Sequence, residues 1–149
     1  FHPKGYRHTI GEMAEHTALS HQALQRLISK ALRRDANPER ARALAGKEDL
    51  VRRKMLENLT RPENFEVKNI LLSKAEVVEY FQGAHKKALQ LLGSAVSKNL
   101  LDVHIYRHPI SQTYGELTAS QWFYYLAYHT QRHAKVIRQV TQLPEFTGE

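Results

Sequence analysis

The chain has 149 residues, 22 Lys and Arg against 15 Asp and Glu for a formal charge of +7, and 42% hydrophobic residues. This suits one globular domain over residues 1–149. It contains no Cys, which excludes disulfide scaffolds, Cys-based zinc sites and Cys nucleophiles, and no run approaches the ~18 apolar residues of a membrane span. Apolar residues are plentiful and periodic, which argues against disorder, and no repeat or low-complexity tract is present. The Cys-free composition fits a reducing compartment, so a cytoplasmic location is expected. The chain opens on Phe1 rather than Met, which leaves room for upstream residues or a removed leader.

Thr9, followed three residues later by Glu12, reads as a capping box that starts a helix running to about Leu32. Ile10, Met13, Ala14, Thr17, Leu24, Ile28 and Ala31 recur along one face of it. Asp35, Asn37 and Pro38 break the pattern. Asn37-Pro38-Glu39 then predicts a short helix closed by Gly46, and a further helix is expected over Asp49–Leu59. Arg61–Asn64 reads as a loop, and Phe65–Leu72 is the sole strand candidate, too short to convince. Ser73 and Glu76 form a second capping box, opening a helix that ends between Lys98 and Asp102. Its stripe is Val77, Tyr80, Phe81, Ala84, Ala88, Leu91, Leu92 and Ala95. Thr118 and Gln121 open the last helix, which runs to about Gln142 before Pro144. The predicted fold is all-α, an antiparallel bundle.

The nine His residues are the unusual feature. At 100° per residue, Trp122, Tyr125, Leu126, Val136, Ile137 and Val140 share one stripe of the last helix, with His129 and His133 near its centre. Positions i and i+4 stack about 5–6 Å apart, so two imidazoles there can reach one metal ion. A single His on an apolar face is ordinarily a core residue with one hydrogen bond; two unsatisfied imidazoles would each cost about 1–3 kcal/mol. Two ligands hold a metal poorly, so a third is wanted. His16, at the edge of the first helix's apolar face, leads; His21, nearer the centre, competes, and His85 on the middle helix is a third option. Each also has a plain packing reading. His2 and His8 lie in a segment expected to fray, and His104 and His108 in a loop, where a surface or loop-stabilising role is expected.

Arg107-His108-Pro109, Tyr114-Gly115-Glu116-Leu117-Thr118 and the stretch from Trp122 through His129-Thr130-Gln131-Arg132-His133 to Ile137, taken with Thr9–His16 upstream, resemble the DinB-like (YfiT-like) metalloprotein family. The resemblance covers nearly the whole chain. It implies a four-helix bundle with a three-histidine site for a divalent metal: nickel or zinc first, iron or manganese second. Carried over by position, the ligands are His16, His129 and His133. The family's first long helix has no counterpart in the eight residues ahead of Thr9. Three long helices leave an apolar face open, to be filled by upstream residues, by residues 36–59 or by a second subunit in a homodimer.

Three imidazoles with an open side form the catalytic rather than the closed structural pattern. Some members of the family are thiol transferases, so the resemblance implies metal-dependent transfer of a small thiol of the bacillithiol or mycothiol type to an electrophile. Glu12 and Tyr125, one turn before His16 and His129, are candidates for supporting the ligands, beside their readings as capping carboxylate and core aromatic. A hydrolase using metal-bound hydroxide and a non-catalytic metal clip stand as alternatives. The basic run from Lys30 to Lys54 (Lys30, Arg33, Arg34, Arg40, Arg42, Arg52, Arg53, Lys54) is interleaved with Asp35, Glu39, Glu48 and Asp49 and holds no aromatic residue. It reads as a solvated face, so a nucleic-acid partner is not expected, nor a membrane.

Overall fold

The computed structural model describes residues 1–57, 65–71 and 73–147. Five helices and one two-stranded ribbon are formed among them: α1 (Ile10–Ala31), α2 (Pro38–Arg42), α3 (Lys47–Leu56), α4 (Lys74–Ser97), β1 (Ile105–Tyr106), β2 (Leu117–Thr118) and α5 (Ala119–Thr141). The three long helices all begin with reciprocal capping boxes. Thr9, Ser73 and Thr118 sit in extended backbone and accept the N–H of Glu12, Glu76 and Gln121, whose side chains return to the cap's own N–H. Each box satisfies two backbone donors that a helix start leaves without intrahelical partners, which is why the sequence marks these starts so plainly.

Helices α1 and α5 pack antiparallel, with Met13 beside Val136 and His21 beside Thr130; α4 also packs on α1, and α3 packs on α5. Leu24, Leu27 and Ile28 meet Val51, Met55, Leu117, Trp122, Tyr125 and Leu126 in the larger apolar cluster. Met13, Val136 and Val140 form a smaller one near the N-terminal end of α1. Trp122 is wholly buried, which is tolerable because its indole N–H donates to the Tyr106 carbonyl at 3.1 Å. The seam between α1 and α5 therefore holds two apolar clusters, and the stretch between them carries His16, His129 and His133.

The connection from α4 to α5 contains the one correction to an otherwise helical reading. Ile105 pairs with Thr118 and Tyr106 with Leu117. Two-residue strands show no alternation for a sequence to reveal. Nor do residues 65–71 form a strand; the N–H groups of Asn69, Ile70 and Leu71 go to the Glu15 carboxylate instead of a neighbouring chain. Helix α3 spans Lys47–Leu56, two residues earlier at its start than expected; Leu59 and the Arg61–Asn64 loop fall outside the described residues, as does Leu72. Its C-terminal carbonyls, Met55 and Glu57, accept from the Arg132 guanidinium at 2.9 and 3.0 Å, which ties α3 to α5.

Helix α4 keeps the stripe expected of it: Ala84, Ala88 and Ala95 are buried and Val77, Tyr80, Phe81, Leu91 and Leu92 half-buried, while Val78, Leu89 and Val96, off that stripe, are exposed. Small residues allow close approach along one seam, and among the described residues no other helix covers the far face. Of the 36–59 stretch, α3 packs on α5 and not on α4. No helix among the described residues is long and apolar enough to cross a membrane.

Candidate metal centre

His16 comes from the second turn of α1, and His129 and His133 from adjacent turns of α5. One potential ligand atom from each lies within 4.8 Å of the others. The Nε2 atoms of His129 and His133 are 3.2 Å apart. Two nitrogens on one tetrahedral zinc, each about 2.0–2.1 Å from it, stand roughly 3.3 Å apart, so this pair already has that spacing. His16 must approach by roughly 1.5 Å more to match it. Its ring centroid is 4.8 Å from that of His133 and 5.7 Å from that of His129. Two imidazole lone pairs cannot face one another at 3.2 Å without a proton or a cation between or beside them. The donor set, neutral nitrogen only, suits zinc, nickel, iron or copper better than magnesium or calcium.

The rings are held by flat contacts. Tyr125 lies parallel to His129, 10° between planes at 6.3 Å. Burial, with a smaller contribution from Tyr114, pushes its phenol up to about 12, so it stays protonated. Phe65 lies flat on His16 at 4.0 Å and 14°, and its opposite face is covered by His8 at 3.8 Å. The segment bearing Phe65 is fastened by Glu15, the neighbour of His16 in α1. Its carboxylate is buried and accepts three consecutive backbone N–H groups at 3.0, 2.5 and 2.8 Å. Burial alone would raise the Glu15 pKa, but the donors of Leu71, Ile70, Asn69 and Lys68 outweigh it and hold the carboxyl below its ordinary range.

The profile of the DinB superfamily matches residues 1–137. The chain belongs to the DinB superfamily. No curated protein and no solved structure matches it.

The competing histidines lie elsewhere. His21 is buried and its Nδ1 is 3.0 Å from the Thr130 hydroxyl, which itself donates to the Leu126 carbonyl. Thr130 must then accept from His21 Nδ1–H. Burial, with His85 adding to it, pulls the His21 pKa down to about 4. His85 is exposed on α4, with its ring 5.4 Å from that of His21. Neither belongs to the cluster of three. The Glu12 carboxylate is committed to the Thr9 N–H at 2.7 Å, which holds it below its ordinary pKa. Two histidines expected at the surface are buried instead. His8 stacks on Phe65, and His104 lies under the loop where its carbonyl accepts the Ala119 N–H. His108 stabilises its loop as expected, with Nδ1 accepting the Ile110 N–H at 3.2 Å. Sequence reading missed Phe65, as part of a doubtful strand, and Glu15, a carboxylate on the inner side of α1 whose partners stand 54–56 residues away.

Proposed function

We propose that His16, His129 and His133 hold one divalent cation, nickel or zinc in the first place and iron or manganese in the second, and that the protein transfers a small thiol to an electrophile. The convergence of three imidazoles from two distant helices is the observation that carries this reading. Two pockets reach the cluster, one lined by His16 and the other by His129, so the site is open rather than closed. A divalent ion bound to three neutral imidazoles favours the deprotonated form of a thiol or water beside it.

The chain's own residues bind and orient. Phe65 covers one face of His16, and Tyr125 runs parallel to His129. The chain has no Cys, so the sulfur nucleophile comes from a diffusible thiol, of the bacillithiol or mycothiol type, and a reducing, cytoplasmic setting goes with that demand. Hydrolysis by a metal-bound hydroxide would use the same ligands; Glu12 and Glu15, which line the pocket at His16, are taken by backbone N–H groups. Arg40 and Arg52 of the basic run are paired with Glu116 and Asp49, in keeping with a solvated face.

The test begins with elemental analysis of protein purified without a nickel column, followed by turnover of 1-chloro-2,4-dinitrobenzene with and without added thiol. One ion per chain and thiol-dependent turnover are expected, with both lost in His133→Ala while the helical signal persists. Stoichiometric metal in that variant would overturn the metal assignment. Thiol-independent cleavage of esters would replace transfer with hydrolysis, and a metal-dependent rise in melting temperature without turnover would leave a structural clip.

A further inference from the structure

The two pockets that meet the histidine cluster differ in charge. The one at His16 holds about 280 Å³ and is lined by Glu12, Glu15, Glu66 and Lys68 among others. Those charges are committed: Glu12 to its capping box, Glu15 to three backbone donors, and Glu66 to Lys68 at 2.5 Å. The pocket at His129 is about 580 Å³, and its charged lining residues are Arg26, Lys30 and Arg33, with no carboxylate. Among the described residues none of these three cations has an ion-pair partner within 4.0 Å.

Their placement is directional. Ser20 lines both pockets, and its hydroxyl is 3.4 Å from His16 Nε2. At 1.5 Å per residue, Arg26 and Lys30 stand about 9 and 15 Å further along α1. Arg33 follows in the turn after the helix, where its N–H donates to the Lys30 carbonyl. Positions 26, 30 and 33 fall at i, i+4 and i+7, the same side of the helix. Tyr106 and His108 form part of the facing wall. A charge run on a helix is ordinarily a solvated face. Here three cations with no ion-pair partner among the described residues line a pocket that also includes a histidine of the cluster, His129.

We propose that this pocket selects an anionic thiol. Carboxylate or phosphate groups on the ligand's tail meet Arg26, Lys30 and Arg33, and its sulfur end reaches the three imidazoles. This deepens the thiol-transfer reading and rests on it for the sulfur. The anion preference stands on the pocket itself. Guanidinium groups engage carboxylate and phosphate with two parallel hydrogen bonds, so both tail chemistries are accommodated.

Calorimetric titration with S-methylated ligands tests the preference with or without metal, because a methylated sulfur presents no thiolate. S-methylglutathione is compared with its diethyl ester, and S-methylphosphopantetheine with S-methylpantetheine. At least one anionic probe is expected to bind about tenfold more tightly than its uncharged-tail counterpart, the sum of a few partly exposed ion pairs. Which pair shows the gap tells carboxylate from phosphate. The triple variant Arg26→Gln, Lys30→Gln, Arg33→Gln closes the gap and leaves ester or pantetheine binding and the helical signal unchanged. Equal binding of charged and uncharged probes, a gap that survives the triple variant, or no binding of any probe at millimolar concentration overturns the proposal. Anion preference without thiol turnover would count against the transfer reading alone.

Discussion

Helix α1 carries two inward histidines five residues apart, and they meet opposite environments. His21 is enclosed between α4 and α5, with one hydroxyl as partner and burial that holds its ring neutral. His16 faces two more imidazoles and is half-buried, with a pocket at its side. Both sit on or near the apolar face, so amphipathicity alone makes them equivalent. The difference lies in what α5 presents opposite each: Thr130 to one, His129 and His133 to the other. A buried histidine with a single hydroxyl partner is core; convergence of several nitrogens is what makes a ligand set.

The contrast can be broken at its support. Glu15→Ala removes the acceptor of three backbone N–H groups and releases the segment that lays Phe65 on His16. A loss of about 3–4 kcal/mol is expected in denaturant unfolding, together with weaker metal binding. A change below 1 kcal/mol would mean that water replaces the carboxylate at little cost, roughly the worth of one exposed hydrogen bond.

It can be sharpened by pH. In metal-free protein the unfolded chain takes a proton on His21 near 6.5, whereas the folded chain refuses it until about 4. Between those values the unfolded state binds more protons, so stability falls as pH drops from 6.5 towards 4 and the loss is complete below that. The loss attributable to His21 is about 3 kcal/mol. Unfolding curves at pH 7, 5.5 and 4.5 should show a shallower fall for His21→Leu than for the parent; identical slopes would contradict the buried, neutral assignment. Smallest of the three is Phe65→Leu, which exchanges a flat ring on His16 for a rounded side chain. Metal affinity should weaken by about tenfold, at the low end of what outer contacts to a ligand are worth, with His21 and its pH response untouched. Competition with a chromophoric chelator measures it.

Much of this was legible in the sequence for a physical reason. Capping boxes at Thr9, Ser73 and Thr118 are local chemistry, and His129 with His133 is a one-turn repeat, so both are readable without knowing the partner helix. His16 was separated from His21 by resemblance to the family, not by spacing. Glu15 was hidden because its partners are backbone groups 54–56 residues away, which no side-chain pattern records. Phe65 and His8 were hidden with it, since each gains its place from that clamp or from the other. The strand pair escaped because two residues have no period. Lys30 and Arg33 were read as part of a solvated face, and only the pocket they share with His129 gives them direction.

Zinc equilibrium dialysis on His16→Ala and His21→Ala, read by elemental analysis, tests the central claim most directly. The account predicts one ion per chain in the parent and in His21→Ala, and none retained in His16→Ala. Full occupancy in His16→Ala, or loss of the ion in a folded His21→Ala, would contradict it.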